Sequence, residues 1–211
     1  QVGVLKVLFD SANAGRAYAS VAGRGIYRSD DAGLTWKPIL DGGLWAEDLD
    51  SAGGILYAVG KKDFGLRRYD PANGWTTITP NKNQNLSEVA VDPANPAHIY
   101  TVTSGFQQFF RSTDSGVKWT NLGTNTLGDK GRASFQSPFG WKMNSTLRNW
   151  LSIGALVIDP HHSGRLWFAE GMGVWRSDNT LPTHDAPTFT DVSDGIEEMV
   201  SNDIVAMPGG K

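Results

Sequence analysis

Several residue types and patterns are missing from this chain, and each absence excludes a class of protein. The 211 residues include no cysteine, which excludes a disulfide scaffold, a thiolate nucleophile and a cysteine-ligated metal site. The 19 basic and 22 acidic residues give a net charge of −3 without a basic run, so nucleic acid is not an expected partner. No apolar run reaches transmembrane length, so a membrane is not an expected partner either. No sustained 3.6-residue apolar period is present, and we therefore expect almost no helix.

What the chain does contain is 25 glycines, 8 tryptophans and an internal repeat. Glycine supplies tight turns and tryptophan supplies large apolar area, which together favour many short strands. Three segments each combine an apolar strand, an aspartate, a polar turn and a second strand with an aromatic residue. They are 6–20, 88–102 and 155–169, with Asp10, Asp92 and Asp159 followed by Tyr18, Tyr100 and Trp167. Third strands follow at 24–29, 108–112 and 173–177, and a weaker unit spans 54–78.

The repeat length of about 40 residues matches one blade of a β-propeller. We therefore predict an all-β fold, a propeller of four-stranded antiparallel blades with about four blades in a single segment, 1–211. The approximate blade limits are 1–40, 41–80, 81–125 and 150–205.

Two short motifs of the form Ser-x-Asp-x-Gly-x-x-Trp, known as Asp boxes, are predicted to close hairpins between third and fourth strands. The aspartate can accept hydrogen bonds from the backbone of its own turn, serine caps the turn, and glycine adopts a left-handed conformation. The tryptophan is expected to pack between neighbouring blades. A catalytic or calcium-binding role for the aspartates is the alternative, but no bidentate glutamate ends either motif. The residues are Ser29, Asp31, Gly33 and Trp36, then Ser112, Asp114, Gly116 and Trp119.

A long loop at 121–150 interrupts the repeat, and long loops in regular folds often bind ligands. Its aromatic residues Phe139, Trp141 and Trp150 suit stacking on sugar rings, with polar contacts from Asn144 and Arg148. The alternative is that the aromatic side chains only pin the loop to its blade, which we favour for Phe135 and leave open for Trp141. Alternation along a strand leaves one candidate carboxylate of the Glu197-Glu198 pair, Glu197. We expect no metal site and no cofactor.

The Asp boxes, the aromatic loop and the segments 153–179 and 195–210 resemble the xyloglucanases and related β-glucanases of glycoside hydrolase family 74. The resemblance implies a fold of two seven-bladed propellers that cleaves β-1,4-glucan backbones with inversion, using one aspartate as base and another as acid. Neither catalytic motif is readable here, so no catalytic residue is assigned. The resemblance also implies that the chain covers later blades of the first propeller, and the start at Gln1 is expected of a chain cut from a longer one.

Three hypotheses about function follow. The chain is part of a secreted glycoside hydrolase, or a non-catalytic Asp-box module that binds glycans or proteins, or a small propeller that is self-contained or completed by another copy. The expected partners are a polysaccharide or oligosaccharide, together with the remaining blades or another copy of the chain.

Overall fold

A computed structural model describes residues 3–81, 85–104, 108–122, 153–170, 173–183, 187–196 and 203–207. The described residues form four four-stranded sheets in which consecutive strands pair antiparallel. The predicted all-β propeller of four-stranded blades is therefore confirmed. The helical element that lies wholly within the described residues is a short 3₁₀ turn at Lys62–Phe64. None of the helices in this part of the chain has the length and apolar character that a membrane span requires.

Each blade contains four strands that follow one another along the chain. Blade 1 comprises β1 (Val4–Phe9), β2 (Ala17–Val21), β3 (Gly25–Ser29) and β4 (Lys37–Leu40). Blade 2 comprises β5 (Asp48–Ala52), β6 (Ile55–Gly60), β7 (Gly65–Asp70) and β8 (Gly74–Thr77). Blade 3 comprises β9 (Leu86–Val91), β10 (Ile99–Thr103), β11 (Phe109–Ser112) and β12 (Thr120–Asn121). Blade 4 comprises β13 (Ile153–Ile158), β14 (Leu166–Glu170), β15 (Gly173–Ser177) and β16 (Thr190–Asp191).

The strand order gives every blade two distinct ends. At one end, which we call the entry end, the chain enters the first strand, turns from the second into the third, and leaves the fourth. The opposite end carries the turn between the first and second strands and the turn between the third and fourth, where the Asp boxes lie. Connections between consecutive blades therefore gather at the entry end.

The core consists of three apolar clusters, one between each pair of consecutive blades. Tyr18 packs with Leu49 between blades 1 and 2. Tyr57 packs with Val89 between blades 2 and 3, and the cluster around Phe168 lies between blades 3 and 4. Because each cluster joins two sheets face to face, burial of apolar area stabilises the stack of blades and each blade relies on its neighbours.

Blade 1 has one face that no other described residue covers. Val7 and Phe9 are 49% and 71% exposed, whereas Val89 and Val91 at the same repeat positions in blade 3 are 1% and 3% exposed. The blade 3 valines pack against blade 2. The same sequence pattern therefore produces a buried interface where a preceding blade is present and an open apolar face where none is described.

Candidate functional site

The two Asp boxes are built from hydrogen bonds within their own turns. Ser29 Oγ donates to Asp31 Oδ1 at 2.7 Å and accepts from Gly33 N at 2.9 Å, while Asp31 Oδ1 accepts from Thr35 N at 2.9 Å. Gly33 has a φ of 91°, which a residue with a side chain adopts only with strain. The carboxylate of the turn is thus already occupied by donors of the turn itself.

The second box repeats this geometry. Ser112 Oγ donates to Asp114 Oδ1 at 2.9 Å, and Asp114 Oδ1 accepts from Lys118 N at 2.8 Å. The Thr35 hydroxyl and amide, with Ser29, lower the pKa of Asp31 to about 2, and the pKa of Asp114 is also lowered, chiefly by the Lys118 amide. A general acid needs a raised pKa, so both carboxylates are suited to holding a turn and not to donating a proton.

The tryptophans that follow the turns differ in their surroundings. Trp119 Nε1 donates to the Ile78 carbonyl of blade 2 at 2.8 Å, and Trp75 Nε1 donates to the Ile39 carbonyl of blade 1 at 2.7 Å. Trp36 Nε1 donates to the Gly33 carbonyl of its own turn at 3.1 Å, as Trp119 Nε1 also does to the Gly116 carbonyl. Trp36 differs from the expected packing between blades because its side chain is 37% exposed and its Nε1 bonds no other described blade. The reason is that no described blade precedes blade 1.

Blade 4 contains a third turn of this kind that the sequence analysis missed. Ser177 Oγ is 2.8 Å from Asn179 Oδ1, and Asn179 Oδ1 accepts from Thr188 N at 2.9 Å. Asparagine offers the same acceptor oxygen as aspartate without its charge. The signal was available, since Ser177 and Asn179 have the spacing of Ser29 and Asp31, but a search for aspartate alone overlooks it.

A second group missed by the sequence analysis is a row of charged side chains on the innermost strands. Lys6 Nζ lies 3.4 Å from Asp48 Oδ1 and 4.0 Å from Asp203 Oδ1. Asp48 Oδ2 accepts from Val89 N at 3.2 Å, and Asp50 Oδ2 accepts from Val91 N at 2.7 Å. The first strand of a blade has an unpaired edge, and these two carboxylates satisfy donors on the edge of β9.

The electrostatics of this row follow from burial. Burial raises the pKa of Glu88 to about 10, assisted by the charge of Asp48 and a hydrogen bond between the two carboxyl groups. Burial opposes the charge of Lys6, but the Asp48 and Asp203 carboxylates outweigh it and raise the Lys6 pKa. These shifts favour the neutral form of Glu88 and the charged form of Lys6.

The charged row borders a cavity of about 450 Å³ between the first strands of the four blades. The carboxylates of the charged row form hydrogen bonds or ion pairs with backbone amides, with Lys6 or with one another. Within the described ranges, no group of three or more His, Cys, Asp or Glu side chains is arranged to hold a metal ion. The row was detectable in sequence as Asp48 and Asp50, two aspartates on one face of a strand with Leu49 on the other.

Asp50→Asn is expected to stabilise the protein at high pH. Burial raises the pKa of Asp50 to about 7, so the folded state binds more protons than the unfolded state, and stability decreases as pH rises from about 4 to about 7. Asparagine retains an acceptor for Val91 N but does not ionise. Each unit of pKa shift corresponds to about 1.4 kcal/mol. Because the side chain is only half-buried, we expect a gain of ~2 kcal/mol at pH 8.

The measurement is urea unfolding of Asp50→Asn and wild type at pH 4 and pH 8. The control is Asp194→Asn, which changes an exposed aspartate and should shift neither curve. An equal loss of stability in Asp50→Asn at both pH values would contradict this prediction. It would show that stability depends on the carboxylate group at this position and not on its protonation state.

The residues expected to contact sugar are Phe139, Trp141, Asn144, Arg148, Trp150 and Glu197, and they lie outside the described residues. The structure therefore leaves their roles as predictions. The described residues that bracket the long loop, Leu122 and Ile153, are at the entry end of blades 3 and 4.

The four-stranded sheets and the two Asp boxes define the class of protein as a β-propeller segment that contains Asp boxes. No protein-family profile matches the chain. A xyloglucanase from Paenibacillus sp is 28% identical over 261 residues, which covers 99% of this chain and 24% of the relative. A xyloglucanase from Acetivibrio thermocellus is 27% identical over 256 residues, which covers 99% of this chain and 30% of the relative. Both alignments are longer than the chain, so the relatives carry insertions that it lacks.

Solved structures agree on the fold. The crystal structure of the GH74 xyloglucanase from Xanthomonas campestris superposes with a TM-score of 0.67 at 24% identity, covering 89% of this chain and 30% of that chain. The predicted resemblance to glycoside hydrolase family 74 is confirmed, and the chain is a GH74-like propeller segment. It spans 24% and 30% of the length of the two curated relatives.

Proposed function

We propose that this chain supplies blades and a sugar-binding surface to a glycoside hydrolase acting on β-1,4-glucan or xyloglucan-type polysaccharide. The observation that carries the proposal is the sequence similarity to two xyloglucanases over 99% of the chain. Trp141, Trp150 and Phe139 would stack on sugar rings. The hydroxyl groups of the sugar would form hydrogen bonds with Arg148, Asn144 and Glu197.

The proposal does not place the two catalytic aspartates in this chain. Four of the described carboxylates are occupied in holding the fold together. Asp31 and Asp114 are held ionised by their own turns, and Asp48 and Asp50 accept hydrogen bonds from β9. A glycosidase acid must instead be free to give its proton to the substrate.

The partners in this proposal are a polysaccharide or oligosaccharide and further propeller structure. The open face of blade 1, with exposed Val7, Phe9 and Trp36, supports contact with a remaining blade or another copy of the chain, because an uncovered apolar face of this kind marks an interface. The extracellular space is the expected location, since a polysaccharide substrate is a polymer found outside the cell.

The test compares hydrolysis with binding. The 211-residue chain should release no reducing ends from xyloglucan or mixed-linkage β-glucan. Its migration should nevertheless be slowed in affinity gels that contain xyloglucan. A longer protein that includes the chain should hydrolyse xyloglucan. The second candidate, a non-catalytic module, is favoured by the lack of a readable catalytic motif, and it requires that the longer protein also be inactive. Absence of retardation by any β-glucan would refute the sugar-binding surface.

Trp141→Ala is expected to weaken binding of a xyloglucan oligosaccharide about tenfold, which corresponds to ~1.4 kcal/mol, because the ring would lose its stacking platform. The melting temperature should change by less than about 2 °C. Calorimetric titration and thermal unfolding measure the two effects. Phe135→Ala is the comparison variant and should lower the melting temperature with unchanged binding. A large stability loss in Trp141→Ala with unchanged binding would assign Trp141 to the core instead.

A further inference from the structure

The connection between blades 1 and 2 presents a tryptophan to solvent. Trp45 lies in the segment 41–47 between β4 and β5, and its side chain is 56% exposed. Tryptophan is costly to leave in water and is enriched where it can serve as a binding anchor. Its neighbour Ala46 is fully buried. The exposed indole is therefore set on a segment whose backbone is packed.

Both flanking blades fix the backbone beneath Trp45. The Ala46 carbonyl accepts a hydrogen bond from Ser20 Oγ in blade 1. Glu47 N donates to the Val59 carbonyl of blade 2 at 2.7 Å. The Trp45 carbonyl lies so close to Gly60 that a Cβ at that position would clash with it. A side chain held in this way loses little backbone entropy when a ligand binds.

A cavity of about 340 Å³ adjoins the indole and contains both apolar and polar groups. The buried Phe64 side chain lines this cavity, with the Arg67 guanidinium 4.9 Å from the ring centroid. Glu47 Oε1 and Lys61 Nζ form an ion pair at 2.7 Å at the rim. An aromatic surface beside a carboxylate and an ammonium group is suited to a sugar, which has apolar C–H faces and hydroxyls that both donate and accept.

The Trp45 cavity, defined by Trp45, Glu47, Lys61, Asp63 and Phe64, lies at the entry end of the sheets. The segment 41–47 is the connection from a fourth strand to the next first strand, and the 3₁₀ turn at Lys62–Phe64 joins a second strand to a third. Both connections belong to the entry end, where Leu122 and Ile153 bracket the long aromatic loop. The Trp45 cavity and the two described residues that flank this loop therefore lie at the same end of the sheets.

We propose that the Trp45 cavity is a second glycan subsite that binds one unit of a β-1,4-glucan backbone. The sugar ring stacks on the Trp45 indole, and its hydroxyls bond Glu47 and Lys61. This subsite rests on the proposed function, because it takes the same polysaccharide, and it extends the binding surface from the 121–150 loop to the connection between blades 1 and 2.

The test is calorimetric titration of the 211-residue chain with cellotetraose and with a xyloglucan oligosaccharide that has a cellotetraose backbone. Trp45→Ala is expected to raise the dissociation constant about tenfold, ~1.4 kcal/mol, while the melting temperature changes by less than about 2 °C. Trp36→Ala is the matched control. Trp36 is also exposed, but it lies at the opposite end of the sheets, and its replacement should leave the dissociation constant unchanged.

The outcomes separate the subsite from the wider proposal. Wild type that binds and a Trp45→Ala variant that binds equally well would overturn the subsite and leave the proposed function intact. Equal weakening by Trp45→Ala and Trp36→Ala would also overturn it, since the effect would not depend on position. Wild type that binds neither oligosaccharide would overturn both. A tryptophan indole NMR signal that is absent in Trp45→Phe and shifts with cellotetraose in wild type would support the subsite directly.

Discussion

Phe168→Ala is expected to lower the free energy of unfolding by about 3–5 kcal/mol, whereas Phe9→Ala is expected to change it by less than about 0.5 kcal/mol. The Phe168 side chain is fully buried between blades 3 and 4, with Phe189 at a centroid distance of 5.0 Å and Trp175 at 6.1 Å. Its loss removes apolar contacts and leaves a cavity. Phe9 is 71% exposed on the open face of blade 1, so its removal leaves no cavity.

Urea unfolding of both variants, followed by far-ultraviolet circular dichroism, measures the difference. The comparison is informative because the substitution is identical, whereas Phe168 packs against a neighbouring blade and Phe9 does not. A loss of several kcal/mol in Phe9→Ala would contradict an uncovered face in solution. If that loss also increased with protein concentration, a second copy of the chain would be the covering partner.

The sequence was sufficient to predict the blades because propeller structure is repetitive and local. The hairpins around Asp10, Asp92 and Asp159 follow from alternation and turn chemistry, which involve residues close together in sequence. The Asp boxes follow for the same reason. Asn179 was missed because a neutral amide replaces the expected carboxylate while its acceptor oxygen performs the same task.

Features that depend on neighbouring blades could not be predicted from the sequence. Trp36 and Trp119 occupy the same motif position and both bond the glycine carbonyl of their own turn, but Trp119 also bonds blade 2. The raised pKa of Glu88 depends on burial beside Asp48, a residue of another blade. Trp45 is separated from Lys61 in sequence, and no local pattern indicates that they share a cavity. Tertiary packing decides each of these properties.

Gly60→Ala is expected to destabilise the protein by about 3 kcal/mol or more, an effect of overpacking at the upper end of the usual range. Gly60 does not have a positive φ, so the backbone conformation itself tolerates alanine. The cost arises because a Cβ would clash with the Trp45 carbonyl and approach the Phe64 ring, with Cγ at 2.9 Å. The carbonyl belongs to the backbone and can move only if the connection between blades 1 and 2 moves.

Thermal and urea unfolding of Gly60→Ala measure this cost, and Gly3→Ala is the control because a Cβ at Gly3 has no atom within 4 Å. The Gly3 variant should unfold within about 0.5 kcal/mol of wild type. If Gly60→Ala folds, its displaced Trp45 should also bind cellotetraose more weakly, since the indole is positioned by the backbone that Gly60 contacts. A variant of wild-type stability would show that the 41–47 connection is free to shift and would remove the rigidity on which the Trp45 cavity depends.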